Sequence, residues 1–117
     1  LLLDVRSHDM SGLSFDAVFS ANAIHIMDWN AVKSMIRGVG KILSENGLFI
    51  LYGPFNYGNR YTSESNAGFD EWLKQRDPGS GIRNFEDVDE LANEARMTLL
   101  EDIAMPANNR ILCWQKQ

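Results

Sequence analysis

Leu48-Phe49-Ile50-Leu51-Tyr52 is apolar at every position, with Gly47 before it and Gly53-Pro54 after it. A strand with one wet face alternates apolar and polar residues. A strand without polar positions belongs inside a sheet covered on both faces. So short a run, closed by a turn dipeptide, suits a strand better than a helix. Phe15-Asp16-Ala17-Val18-Phe19-Ser20, after a loop containing Ser and Gly, reads as a second buried parallel strand. Together they predict an α/β sheet with helices on both faces.

Between these strands the period changes. Asp28 stands where a helix N-cap belongs. Trp29, Val32, Ile36, Val39 and Leu43 then recur at steps of three and four, which predicts one buried helical face. Gly38 and Gly40 each weaken this helix by roughly 1 kcal/mol relative to Ala, and close approach to the sheet is the expected reason. Gly47 is the expected left-handed C-cap. Phe55 to Asn66 is polar and rich in Gly, Asn and Ser, so it reads as a long loop, a type that often carries function. Phe69, Trp72 and Leu73 mark a short helix, closed by Asp77-Pro78-Gly79. Asn84 is the expected cap of the next helix, with Asp87 three residues on as a weak capping box and Val88, Leu91, Ala92 and Ala95 as its stripe. Thr98 to Ala104 and Arg110 to Lys116 read as strands joined by a short turn, hence an antiparallel pair. Leu1-Leu2-Leu3-Asp4-Val5 reads as a further strand.

The 117 residues suit a single domain, 1–117, and at 44% apolar they hold enough material for a core. Net charge is −5, and Lys and Arg are scattered along the sequence. That argues against nucleic acid as a partner. No apolar run is long enough for a bilayer, and nothing resembles a signal peptide, so no membrane partner is expected. The lone Cys113 excludes an internal disulfide and points to a reducing cytoplasm. His8, Asp9, His25 and Cys113 lack metal-ligand spacing. There is no nucleophile elbow and no P-loop.

Phe15 to Asn22 with Ile24-His25-Ile26 resembles the fourth-strand motif of class I S-adenosylmethionine-dependent methyltransferases. Ser44-Glu45-Asn46-Gly47-Leu48-Phe49 resembles their turn into the fifth strand. Tyr52-Gly53-Pro54-Phe55, Thr62-Ser63-Glu64-Ser65-Asn66 with Phe69-Asp70, Gly81-Ile82-Arg83-Asn84 and Met105-Pro106-Ala107-Asn108-Asn109 resemble one family in particular. It is a family of methyltransferase-like proteins, typified by methyltransferase-like protein 26, without a well-defined substrate. The resemblance implies a partial Rossmann-like sheet, strands three to seven in the order 3-2-1-4-5-7-6, with the last pair antiparallel. It implies S-adenosylmethionine as cofactor of the parent family and an unknown small-molecule substrate.

That fold opens with a strand, a Gly-rich loop, a helix and a second strand ending in an acid that binds ribose. None of these is recognisable here, and Leu1-Val5 stands as strand three. The chain is therefore expected to be a truncated domain that binds no cofactor and catalyses nothing alone. The fourth strand then has a free edge, an association hazard. Either the N-terminal strand docks beside it or two chains pair, and a homodimer is favoured. The alternatives are a self-assembling binding module that uses this edge and the 55–66 loop, and an assembly that rebuilds the pocket.

Ligands of open α/β sheets sit at the carboxyl ends of the strands, which places the candidate residues. Asp4, ending strand three, would accept from the adenine amino group in the family, or is an exposed strand-end acid. Asn22 would face the methyl donor. His25 is the candidate catalytic base, or it packs at the start of a helix. Tyr52 and Phe55 suit a pocket wall. Thr62, Ser63, Ser65, Asn66 and Asp70 suit substrate contact, although short polar residues also cap helices. Arg83 suits an anionic substrate, or a surface ion pair. Asn108 and Asn109 either face the same cleft or only satisfy their turn. Cys113 reads as inert core.

Overall fold

The computed structural model describes residues 15–117; the expected Leu1–Val5 strand, with Asp4, lies outside them. The elements in order are β1 (Phe15–Ala21), α1 (Trp29–Ile42), β2 (Leu43–Gly53), α2 (Glu64–Arg76), α3 (Phe85–Glu94), β3 (Met97–Met105), a short 3-10 turn (Pro106–Asn108) and β4 (Asn109–Lys116). The sheet order is β1-β2-β4-β3. β1 and β2 are parallel, and β4 runs antiparallel to both β2 and β3. This is the 4-5-7-6 part of the expected order, with its antiparallel ending.

α1 starts where expected. Asp28 Oδ1 accepts from the Ala31 N–H at 2.8 Å, satisfying one of the free first-turn donors. Val32, Ile36 and Val39 are buried. The helix stops earlier than the sequence suggests. Leu43 is already extended and opens β2, so it closes no helical stripe, and Gly47 is not the C-cap. Asn46 is the residue that turns left-handed, at φ 66°. The register jumps from Phe15 opposite Leu43 to Ala17 opposite Leu48. Ser44 Oγ explains the early stop: it lies 2.9 Å from Asp16 Oδ1 and 3.1 Å from Phe15 O, giving its proton to one of them. Such a side-chain bond competes with a further helical turn. Gly40 also differs from expectation. A Cβ there would meet Ala95 Cβ at 2.8 Å and Ala95 O at 2.9 Å, so the close neighbour is the end of α3 and not the sheet.

α1 and α3 lie over one sheet face. Val18, Phe49, Leu51, Leu112 and Trp114 fill that side with Val32, Ile36, Val88 and Ala92. Trp114 stacks on Phe49 and donates its indole N–H to Asp89 Oδ1 at 2.8 Å. On the other face Ile50, Tyr52, Ile111 and Cys113 are half-buried and Phe19 is exposed. Burial along β2 thus alternates although its residue types do not.

The 55–66 stretch is not one open loop. Asn56 bridges to Asn84, Tyr57 and Arg60 close a tight turn, and the loop ends at Ser63. Ser63 caps α2 by accepting from the Asn66 N–H at 3.1 Å, so Asn66 is helical. α2 is longer than the Phe69-Trp72-Leu73 pattern suggests, at 13 residues. Its buried positions are Asn66, Asp70 and Leu73, a stripe too polar for apolar periodicity to reveal. Asn84 does occupy the N-cap position of α3, but its side chain does not cap. Instead it accepts from Asn59 N at 3.0 Å and donates to Asn59 Oδ1 at 2.6 Å. Ala95 lies just beyond α3 as its C-cap. No helix among the described residues is long and apolar enough to cross a membrane.

Candidate functional site

β1 and β2 end on the same rim, with Ala21 opposite Tyr52. Because β4 is antiparallel, it begins there, with Arg110 opposite Gly53. This gathers Asn22, His25, Tyr52, Asn108 and Asn109 from distant parts of the sequence. Asn22 turns left-handed at φ 54° and donates its N–H to Tyr52 O at 2.8 Å. The Tyr52 hydroxyl accepts from Asn109 Nδ2 at 3.2 Å. A Cβ at Gly53 would sit 3.7 Å from both Asn22 Oδ1 and His25 Nδ1, so these two groups converge on the Gly53 backbone.

His25 lies in the turn before α1, not on the helix, and is 5% exposed. Its ring meets Phe69 edge-on at 5.5 Å. Its carbonyl accepts from Gly81 N at 2.8 Å. Burial, and secondarily the Arg83 charge, holds its pKa below the ordinary histidine value. A neutral imidazole can accept a proton.

Asn66 ties the start of α2 to the β3–β4 turn. Its Nδ2 donates to Thr62 Oγ1 at 2.9 Å and to Asn108 O at 3.4 Å. Asn108 Nδ2 donates to Ser65 Oγ at 3.3 Å, and Ser65 and Ser63 hydroxyls are 3.0 Å apart. Thr62, Ser63, Ser65, Asn66 and Asn108 thus form one network, and its hydroxyls at Thr62 and Ser65 reach solvent.

Asp70 and Arg83 lie apart from it. Asp70 is 1% exposed. It accepts from Ile82 N at 2.8 Å, pairs with Lys74 Nζ at 2.9 Å and accepts from the Tyr61 hydroxyl. Burial pushes its pKa up, but these three donors outweigh burial and hold it below the usual carboxylate range. Arg83 donates to Gly79 O at 2.7 Å, to Met27 O and, at 3.4 Å, to Ile24 O. The alternative of a surface ion pair is not what the geometry shows, since its hydrogen-bond partners are backbone carbonyls. A cavity of about 450 Å³ opens here, lined by Asn56, Asn59, Tyr61, Asp70, Lys74 and Arg83 among others. The sequence reading missed Tyr61, Lys74 and Asn59. Only Asp70 and Lys74 left a trace, as an i, i+4 pair.

Phe55 is 1% exposed and belongs to the core, so it walls no pocket. Cys113 is half-buried on the open face, its thiol pushed up by burial and then by Glu101. Among the described residues no group of three His, Cys, Asp or Glu could hold a metal. Asn22–His25 after β1 and Pro54–Tyr57 after β2 include no acid and no glycine-rich turn. These two described loops thus lack the glycine turn and the ribose-binding acid with which such folds hold a nucleoside cofactor.

The family model described as "Protein of unknown function (DUF938)" matches residues 3–116. The chain belongs to that family. Among solved structures, it is similar to an O-methyltransferase family protein from Burkholderia thailandensis. There the TM-score is 0.81 at 15% identity, over 98% of this chain and 33% of that one. It is similar also to an O-methyltransferase family 2 protein from Planctomyces limnophilus, solved in complex with apigenin. That match has TM-score 0.80 and 15% identity, over 94% of this chain and 34% of that one. LepI in complex with S-adenosylmethionine matches with TM-score 0.76 at 13% identity, over 94% of this chain and 29% of that one. This DUF938 chain therefore spans about a third of the length of the solved structures it matches. At such identities the likeness establishes the fold: a partial class I methyltransferase sheet.

Proposed function

We propose that this DUF938 chain is a portion of an S-adenosylmethionine-dependent methyltransferase-like protein acting on a small molecule, of the methyltransferase-like protein 26 type. On this reading it supplies the acceptor side of the site and does not bind the cofactor alone. The observation that supports this is the convergence of Asn22 and His25 on Gly53, at the carboxyl ends of two parallel strands in a methyltransferase-ordered sheet. His25, kept neutral, is the candidate base for the acceptor's proton. Tyr52, Asn109 and the Thr62–Asn66–Asn108 network face the acceptor. Asn22 faces the donor.

Calorimetric titration with S-adenosylhomocysteine tests it. The expected result is no saturable heat up to high micromolar ligand. Saturable micromolar binding overturns the claim that the chain lacks a cofactor grip, and loss of that binding in Asn22→Ala would locate the pocket on this rim.

One observation favours a second reading, self-assembly through a sheet edge. β1 is the outermost strand among the described residues, and Phe19 on it is 40% exposed. An unpaired apolar edge recruits another strand. The expected species in light scattering at high micromolar concentration is a homodimer; a clean monomer there ends this reading.

A further inference from the structure

The end of the sheet opposite the carboxyl rim carries a feature that no sequence window displays. Arg37 and Lys41 come from the last turns of α1, Arg96 from just past α3, and Lys116 from the end of β4. They surround one cavity of about 590 Å³, together with Gly40, Ala95 and Glu94. Four of the chain's 11 Lys and Arg thus meet in one place, in a protein of net charge −5. Among the described residues, none of the four lies within ion-pair distance of a carboxylate.

We propose that this cavity binds a small molecule bearing a diphosphate group. The bland account is that the cations answer the helix carbonyls, and Lys116 Nζ does donate to Gly40 O. The helix ends there offset about half a charge each and Glu94 one more, which leaves about two positive charges unanswered among the described residues. A second observation is independent. Arg96 sits at the position after the C-cap of α3 with φ 67°, where glycine is the residue without strain. An arginine held in a strained backbone conformation points to a use for its side chain. Arginine forks match phosphoryl oxygens in pairs. The cavity exceeds what a lone oxyanion fills and falls within the range of small-molecule sites. It lies away from the rim of Asn22 and His25, so it stands or falls independently of the methyltransferase reading.

The test is a pyrophosphate titration of the isotope-labelled chain, followed by amide chemical shifts at physiological ionic strength. Saturable shifts are expected around Gly40, Arg96 and Lys116. Arg96→Gly relieves the backbone and removes the charge, so it should keep or raise Tm while weakening pyrophosphate by about tenfold or more. Lys41→Ala should weaken it as well, and Ser65→Ala should leave it unchanged. Adenosine diphosphate in place of pyrophosphate separates the sources. Tighter binding assigns a nucleotide and equal binding assigns the bare diphosphate, and both support the site. Absence of saturable shifts at millimolar pyrophosphate overturns the proposal. So does binding of undiminished affinity in Arg96→Gly.

Discussion

The two ends of the sheet's strands use polar residues in opposite ways. At the carboxyl rim they are bonded to one another: Asn66 to Thr62 and Asn108, Tyr52 to Asn109, Asp70 to Tyr61, Lys74 and Ile82. At the opposite end Arg37, Lys41 and Arg96 surround a cavity with no carboxylate partner among the described residues. The first arrangement holds the fold's loops in place; the second leaves charge available. A polar cluster can thus hold its loops in place while its Thr62 and Ser65 hydroxyls still reach solvent, and cations scattered in the sequence can meet around one cavity.

The largest effect that could break this comparison is at Asp70. Asp70→Ala strands the buried Ile82 N–H and removes the anchor of the exposed Tyr61 and Lys74, and should lower unfolding free energy by about 2 kcal/mol in denaturant titration. A loss near zero would mean that the rim is not a brace. Asn66→Ala removes two hydrogen bonds and should cost about 1 kcal/mol, with faster amide exchange in the Pro106–Asn108 turn. Arg37→Ala should stay within about 0.5 kcal/mol, because Arg37 is exposed and even a paired surface cation carries little stability. A larger loss would make the basic end structural.

The smallest effect sharpens the comparison through pH. His25 has a lowered folded pKa, so the unfolded chain takes up its proton first. Its contribution is fully present above the unfolded value of 6.5 and declines as pH falls from there through the folded pKa. Unfolding free energy measured across mildly acidic pH should therefore fall more steeply in the parent than in His25→Gln. Equal slopes would show that the imidazole is not sequestered. Asp70 acts in a separate window: its stabilisation is present above 3.8 and is lost as pH falls below that value.

Element type was legible wherever burial coincides with apolar chemistry. The Val32-Ile36-Val39 stripe, the Leu48–Tyr52 strand and the antiparallel ending are all where the pattern places them. It failed where side-chain hydrogen bonds replace apolar contacts. α2 was underestimated because Asn66 and Asp70 are buried through their partners. α1 ended early because Ser44 engages the start of β1. Phe55 looked like a rim aromatic but the core takes it. The Thr62–Asn66 and Asn108-Asn109 segments were legible as candidates because each is contiguous. Their mutual bonding was not, because the two segments are joined only across the fold.

By itself, the sequence determined the order and type of the elements and the place of the candidate rim, because apolar periodicity and turn chemistry act over short spans. Only the tertiary structure decided which polar groups are occupied and which are free. Pairing depends on distances between residues remote in the chain, such as Gly40 and Lys116 or Asn66 and Asn108, and those distances exist only once the sheet has formed.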